Sequence, residues 1–211
     1  VVGKNVTSID WKGKKLAGAL DLSGFKALTK VDVSRNAITS LTVSGDNALV
    51  EINASRNKLQ TVDFTGCASL SKASINNNRL TEFSISNVPM IKTLNVSSNL
   101  LAALDLQASP TLETLNCQSN HLESLSVPDC TALKNLYCGY NKLTSINLFG
   151  TSNLQNLNVD SNKIGNMIIS GLPSLSTFLC TDNNMKSLGV RECRTTILQV
   201  SASATAPTSF S

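Results

Sequence analysis

Leu133-Lys134-Asn135-Leu136-Tyr137-Cys138-Gly139-Tyr140-Asn141-Lys142-Leu143-Thr144-Ser145-Ile146-Asn147-Leu148 carries the frame on which the rest of the chain is built. If Leu133 is position 1, apolar residues stand at positions 1, 4, 6, 11, 14 and 16, with an asparagine at position 9. The same asparagine returns every 21 residues, at Asn36, Asn57, Asn78, Asn99, Asn120, Asn141, Asn162 and Asn183. Eight hits at one unbroken interval are not chance. A fixed period of this length is the mark of a solenoid, whose units bury their apolar side only against their neighbours.

Full repeats begin at Leu28, Leu49, Leu70, Ile91, Leu112, Leu133, Leu154 and Leu175. The frame therefore divides the chain into a diverged N-terminal capping repeat (1–27), eight 21-residue repeats (28–195), and a C-terminal half-repeat and tail (196–211). In the first unit Val6, Ile9, Trp11 and Leu16 stand in for positions 1, 4, 6 and 11, and Trp11 reads as an inward plug. Positions 3 to 7 alternate polar and apolar, as in Lys30-Val31-Asp32-Val33-Ser34, which is the period of a strand. Parallel stacking of these strands predicts a concave sheet. Positions 14 and 16 repeat the alternation in pairs such as Leu41/Val43, Val62/Phe64 and Phe83/Ile85. That pattern predicts a convex side of short strands and 3₁₀ turns with little α-helix. The fold class expected is thus a mostly β solenoid of the α/β horseshoe kind. The Ser-, Ala- and Thr-rich tail from Ser201 onward reads as a frayed end or linker.

The frame L-x-x-L-x-(V/A/I/C)-x-x-N-x-(L/I/M) resembles the leucine-rich repeat. The 21-residue unit quoted above is similar to internalin-J-like and related Bacteroidetes surface repeats. That resemblance implies a bacterial cell-surface or secreted protein, an extracellular location after removal of a signal peptide, and adhesion to host as the finer possibility. The cysteines at position 6 also resemble the cysteine ladder of internalin-J-like repeats.

Composition narrows the function classes. The net charge of +4 is spread along the chain without a basic stripe, which disfavours a nucleic-acid partner. No run of about 18 apolar residues is present, so no transmembrane segment is expected. The chain starts at Val1 and is expected to be a mature or trimmed fragment, acting as a monomer. Six cysteines could suggest disulfides or metal, but the register argues for free buried thiols. Cys117, Cys138 and Cys180 fall at inward position 6. Cys67, Cys130 and Cys193 fall at position 19, three repeats apart, beyond the roughly 7 Å Cα limit of a disulfide. Neither a disulfide, a metal site nor a cofactor is expected. The asparagines at position 9 are assigned to structure, with their amides satisfying backbone groups of their own and the adjacent turn. The triplets at Asn5, Asn53 and Asn95 match glycosylation sequons and are read as coincidental.

Function is then confined to outward positions. Most are small and polar, so the exceptions stand out: Tyr137 and Tyr140 in one repeat, His121 and Leu100 at position 10 of the two preceding ones, and Leu179 near the end. Tyrosine gives large contact area at low entropy cost. A second cluster is basic, with Lys30, Arg35, Arg56, Lys58, Lys72 and Arg79 on the first three full repeats, interrupted by Asp32 and Glu51. It would suit an acidic protein or glycan. Catalysis is not expected: His121 is the single histidine, its nearest cysteine faces the other side of the strand, and no nucleophile, phosphate-loop or zinc motif is present. The reading that follows is a non-catalytic module that binds protein or glycan. The alternative is a structural spacer in a multidomain surface protein, with no ligand on the repeats.

Overall fold

The computed structural model describes residues 5–85, 88–106 and 109–200 and the backbone of 209–210. The chain divides into two compact units, Val1–Leu101 and Ala102–Ser211. Each is a stack of parallel strands.

In the first unit the front strands are Ser8–Asp10, Lys30–Asp32, Glu51–Asn53, Lys72–Ser74 and Thr93–Asn95. They pair in parallel, with Ile9, Val31, Ile52, Ala73 and Leu94 in register. These are the position-4 residues, and all are buried. The second unit repeats the pattern with Thr114–Asn116, Asn135–Tyr137, Asn156–Asn158, Thr177–Cys180 and Ile197–Val200. Here Leu115, Leu136, Leu157, Phe178 and Leu198 are in register. Each aliphatic side chain sealed in such a column contributes about 1.5–3 kcal/mol, which is how a chain so poor in aromatics holds together.

The opposite wall is built from positions 10 to 17 and is discontinuous. Ala17–Asp21, Ala37–Thr42 and Thr61–Asp63 form a three-stranded back sheet in the first unit, with an irregularity at Gly18/Ala19. In the second unit Ser124–Ser126 pairs with Ser145–Asn147, and Asn166–Ser170, Ser187–Arg191 and Ser209–Phe210 form a separate sheet. The short strands expected here are present. The connecting turns are simple hydrogen-bonded turns, and no helix of α or 3₁₀ type occurs among the described residues. None therefore is long and apolar enough to cross a membrane. Residues 201–208 of the tail, and Asn87 in the turn before Val88-Pro89, lie outside the described residues. Ser209–Phe210 pair with Gly189–Val190, so this part of the tail is tied into a sheet rather than frayed. Trp11 is only half-buried, because a terminal turn has no preceding neighbour to cover it.

The asparagine column locks one turn to the next. Asn57 Nδ2 donates to Ala54 O in its own turn (3.1 Å) and to Val33 O in the preceding one (3.0 Å), while its Oδ1 accepts from Ile38 N (3.1 Å). Asn78 and Asn99 repeat this in the first unit. Asn141, Asn162 and Asn183 repeat it in the second. Asn36 reaches Trp11 O (2.9 Å) and Val33 O (2.8 Å), and Asn120 reaches Cys117 O (3.0 Å).

The residue before each asparagine is left-handed. Arg35, Arg56, Asn77, Ser98, Ser119, Tyr140, Ser161 and Asp182 all have φ between 51° and 57°. At this position 8 the chain leaves the strand, and no glycine occupies it in any of the eight repeats.

Candidate functional site

In the second unit the outward face of the front sheet is organised by row. Position 5 runs Asn116, Tyr137, Asn158 and Leu179 across four hydrogen-bonded strands. Tyr137 and Leu179 are half-buried and separated by one strand, on the order of 10 Å at about 4.8 Å per strand. Tyr140 stands at the edge of the same sheet, 62% exposed and at φ 56°. His121 is exposed two positions past its strand-end turn. The geometry thus puts Tyr137, Tyr140 and His121 on adjacent turns of one unit. Leu100, 43% exposed, belongs to the first unit and is described with it.

Gly139 is the residue that sequence reasoning missed. It occupies position 7 between the tyrosines, and a Cβ there would fall 2.8 Å from Asn158 Oδ1 and 3.1 Å from Asp160 O. Gly139 is buried, and the space its side chain would take is held by Asn158 Oδ1 and Asp160 O of the next turn. A glycine at a position filled elsewhere by Ser34, Ser55, Ser97 or Gln118 was the available signal.

The polar groups around the tyrosines are held by each other. Asn156 Nδ2 donates to Asn135 Oδ1 (2.7 Å), and Asn135 Nδ2 donates to Thr114 Oγ1 (3.1 Å), a chain along position 3. Lys134 and Glu113 pair at 2.8 Å. Asp160 Oδ1 accepts from Thr181 N and Oγ1 (2.6 and 2.8 Å). The face is pre-organised, with Tyr140 exposed at its edge and Ile197 exposed on its last strand.

In the first unit the basic cluster separates into two parts. Lys30 and Lys72 both pair with Glu51, at 3.2 and 3.0 Å. Hydrogen bonds from the Lys72 and Lys30 side chains outweigh the partial burial of the Glu51 carboxyl and hold it below the usual range. Asp32 is committed to Ser34 N (2.9 Å) and Asn53 Nδ2 (3.2 Å). Its partial burial pulls the carboxyl up, but those hydrogen bonds win and it too lies below its ordinary value. Arg35, Arg56, Lys58 and Arg79 are exposed and take part in no ion pair among the described residues.

All six cysteines are free. Burial pushes the Cys117 and Cys180 thiols up to about 12 and Cys67 up to about 11, so these are unreactive small hydrophobes. Cys138 and Cys130 are raised for the same reason. Cys193 departs from the expectation of a buried thiol: it is half-exposed in the last turn, where no following repeat covers position 19. No group of three or more His, Cys, Asp or Glu side chains converges on a point among the described residues.

Comparison with known proteins agrees with this architecture. A family profile described as leucine rich repeats (2 copies) matches residues 110–150. No curated protein sequence matches the chain. Among solved structures, the functional domain of InlJ from Listeria monocytogenes, which includes a cysteine ladder, is 24% identical with a TM-score of 0.62, covering 92% of this chain and 53% of that one. YopM, a leucine-rich effector protein from Yersinia pestis, is 21% identical with a TM-score of 0.74, covering 92% and 57%. A leucine-rich-repeat protein of Leptospira interrogans is 18% identical with a TM-score of 0.55, covering 88% and 66%. The chain thus spans between about half and two thirds of the length of these proteins. At these identities the likeness is one of fold.

Proposed function

We propose that this leucine-rich-repeat solenoid is a non-catalytic protein-binding module of a bacterial surface or secreted protein. It takes its partner on the outward face of the front sheet around Tyr137 and Tyr140. The fold supports this because a solenoid offers one extended, rigid face built from strand residues whose side chains can vary without disturbing the core. The observation that carries it is Tyr140. A bulky aromatic is held in the left-handed region, where non-glycine residues cost about 1–2 kcal/mol, and it is 62% exposed. Most of its surface is left open to solvent, which favours a role in contact with a partner.

Gly139, buried between the two tyrosines, leaves room for the Asn158 side chain and so helps to fix the surface beside them. Leu179 and His121 extend the contact area; Leu100 is a candidate contact of the first unit by itself. Arg35, Arg56, Lys58 and Arg79 add a cationic region suited to an acidic protein or an anionic glycan. Adhesion to host cells or matrix from an extracellular position is the biological setting this reading implies, with the chain acting as a monomer.

The test is the double substitution Tyr137→Ala with Tyr140→Ala, assayed for adhesion to host matrix and cells alongside a thermal melt. Loss of adhesion with an unchanged melting temperature is the expected result. Full adhesion by a normally folded double variant would leave the front face without a ligand and favour the spacer role.

A further inference from the structure

The back wall of the first unit opens beside Thr61–Asp63. That strand is the last of the sheet formed with Ala17–Asp21 and Ala37–Thr42. On its inner side the ladder is complete, with Val43 N donating to Asp63 O (3.0 Å) and Gly45 N to Thr65 O (2.7 Å). One turn on, Phe64 N makes no backbone hydrogen bond of this kind to the following turn among the described residues. Instead a cavity of about 350 Å³ separates Thr61–Thr65 from Glu82–Ser84. This volume lies at the lower end of the range for ligand sites.

Two phenylalanines line the opening. Phe83 is the aromatic at position 14, a column otherwise filled by Leu, Val, Ile and Met, and Phe64 is the aromatic at position 16 of the turn before. Their rings meet edge to face with centroids 6.3 Å apart. Val62 and Phe83, whose counterparts Leu41 and Leu125 are buried, are left half-exposed. With Phe64 and Val88 they line the cavity, and Asp63 and Glu82 line it from opposite sides. Neither carboxylate has an ion-pair partner among the described residues.

We infer that this cleft is a docking site for an extended basic peptide of a partner protein, which adds as a strand against the open edge of Thr61–Asp63. The open edge recognises main chain, as in strand addition to sheet edges generally. The apolar floor takes every second side chain of such a strand, and the two carboxylates meet cationic side chains at the rim. The edge also lacks the lysine or proline that would ordinarily guard it against pairing. This site is independent of the front face.

The probe is a capped hexapeptide of alternating lysine and valine, titrated into the 211-residue chain by calorimetry at low salt. Two companion peptides are run with it: one N-methylated at the valines, which keeps charge and apolarity but removes main-chain donors, and one alternating glutamate and valine. Binding of the lysine peptide alone is expected. Asp63→Asn with Glu82→Gln should weaken it about fivefold, the range for two exposed charge pairs. The fold should persist, because Asn147 at the equivalent position of a later repeat makes the same turn contact to Phe149 N (3.0 Å) that Asp63 makes to Thr65 N (2.9 Å). Phe83→Leu should also weaken binding, whereas Tyr137→Ala with Tyr140→Ala should leave it unchanged. Equal binding of the N-methylated peptide, no binding of the lysine peptide, or an undiminished affinity in the folded Asp63→Asn, Glu82→Gln variant would each overturn the inference.

Discussion

Replacing Asn141 with alanine tests the ladder where its bonds can be counted. Asn141 Nδ2 donates to Cys117 O (3.1 Å), Cys138 O (3.0 Å) and Gly139 O (3.2 Å), and its Oδ1 accepts from Leu122 N (3.0 Å). The losses are unequal. Cys117 O keeps the amide of Asn120, and Cys138 O keeps that of Asn162. Leu122 N, in a residue with no exposed surface, is left with nothing. An orphaned buried donor costs about 1–3 kcal/mol, and the lost amide bonds add roughly 0.5–1.5 kcal/mol. Asn141→Ala should therefore lose about 2–4 kcal/mol, a fall in melting temperature of about 4–16 °C at roughly 2–4 °C per kcal/mol for a chain of this size. Hydrogen exchange at the Leu122 amide should accelerate along with it. Asn141→Asp sharpens the test, since it keeps the acceptor for Leu122 N but turns a carboxylate oxygen toward three carbonyls. Its folded pKa must lie above the unfolded value of about 3.9. The variant is then most stable below that value and loses stability as pH rises through the folded pKa. An Asn141→Ala melt within a degree of the parent, with Leu122 exchange unchanged, would refute the ladder argument.

Three further outcomes can be checked. Gly139→Ala places a methyl 2.8 Å from Asn158 Oδ1, so it should lower stability by about 1 kcal/mol in a melt; an unchanged melt would mean that Asn158 moves aside freely. A thiol reagent at pH 8 should label Cys193 in the folded protein and all six cysteines in denaturant, because five are buried and Cys117 and Cys180 titrate only near 12; rapid native labelling of Cys117 or Cys138 would contradict this. Tyr140→Asn should raise stability by about 0.5–1 kcal/mol, since asparagine tolerates the left-handed region better, while adhesion falls; a loss of stability would mean that the tyrosine packs after all.

The repeat period made the front sheet legible to the residue through the eight full repeats, but not in the last strand, where Leu198 rather than Val200 is in register with Phe178. Val31, Ile52, Ala73 and Leu94 share a register because each is position 4 of its unit, and parallel strands have no freedom to slip when one face is sealed. The inward asparagines followed from the same count. What the period could not show is what happens when neighbouring side chains depart from it together. Phe64 and Phe83 each fit an apolar column, and only the structure shows that they meet across adjacent turns where the back wall is open. The split of the basic cluster was hidden for the same reason: Glu51 lies one strand from both Lys30 and Lys72, and sequence distance alone does not say which cations it takes. Gly139 matters through Asn158, one turn away.

The left-handed residue at position 8 shows how the ladder and the binding face depend on one another. No glycine marks it, because the turn is imposed from the next position: Asn141 holds Cys138 O and Gly139 O, and Asn162 holds Val159 O and Asp160 O, closing the chain around the residue between. The conformational cost at position 8 is met by the asparagine that follows, whichever side chain stands there. Ser98, Ser119 and Ser161 satisfy that geometry with little exposed bulk, as do Asn77 and Asp182. Arg35, Arg56 and Tyr140 carry large side chains into solvent from the same strained backbone. Stability alone gives no reason to prefer them, and so position 8, the most regular feature of the backbone after the asparagine itself, is where the irregular side chains say most about what the surface meets.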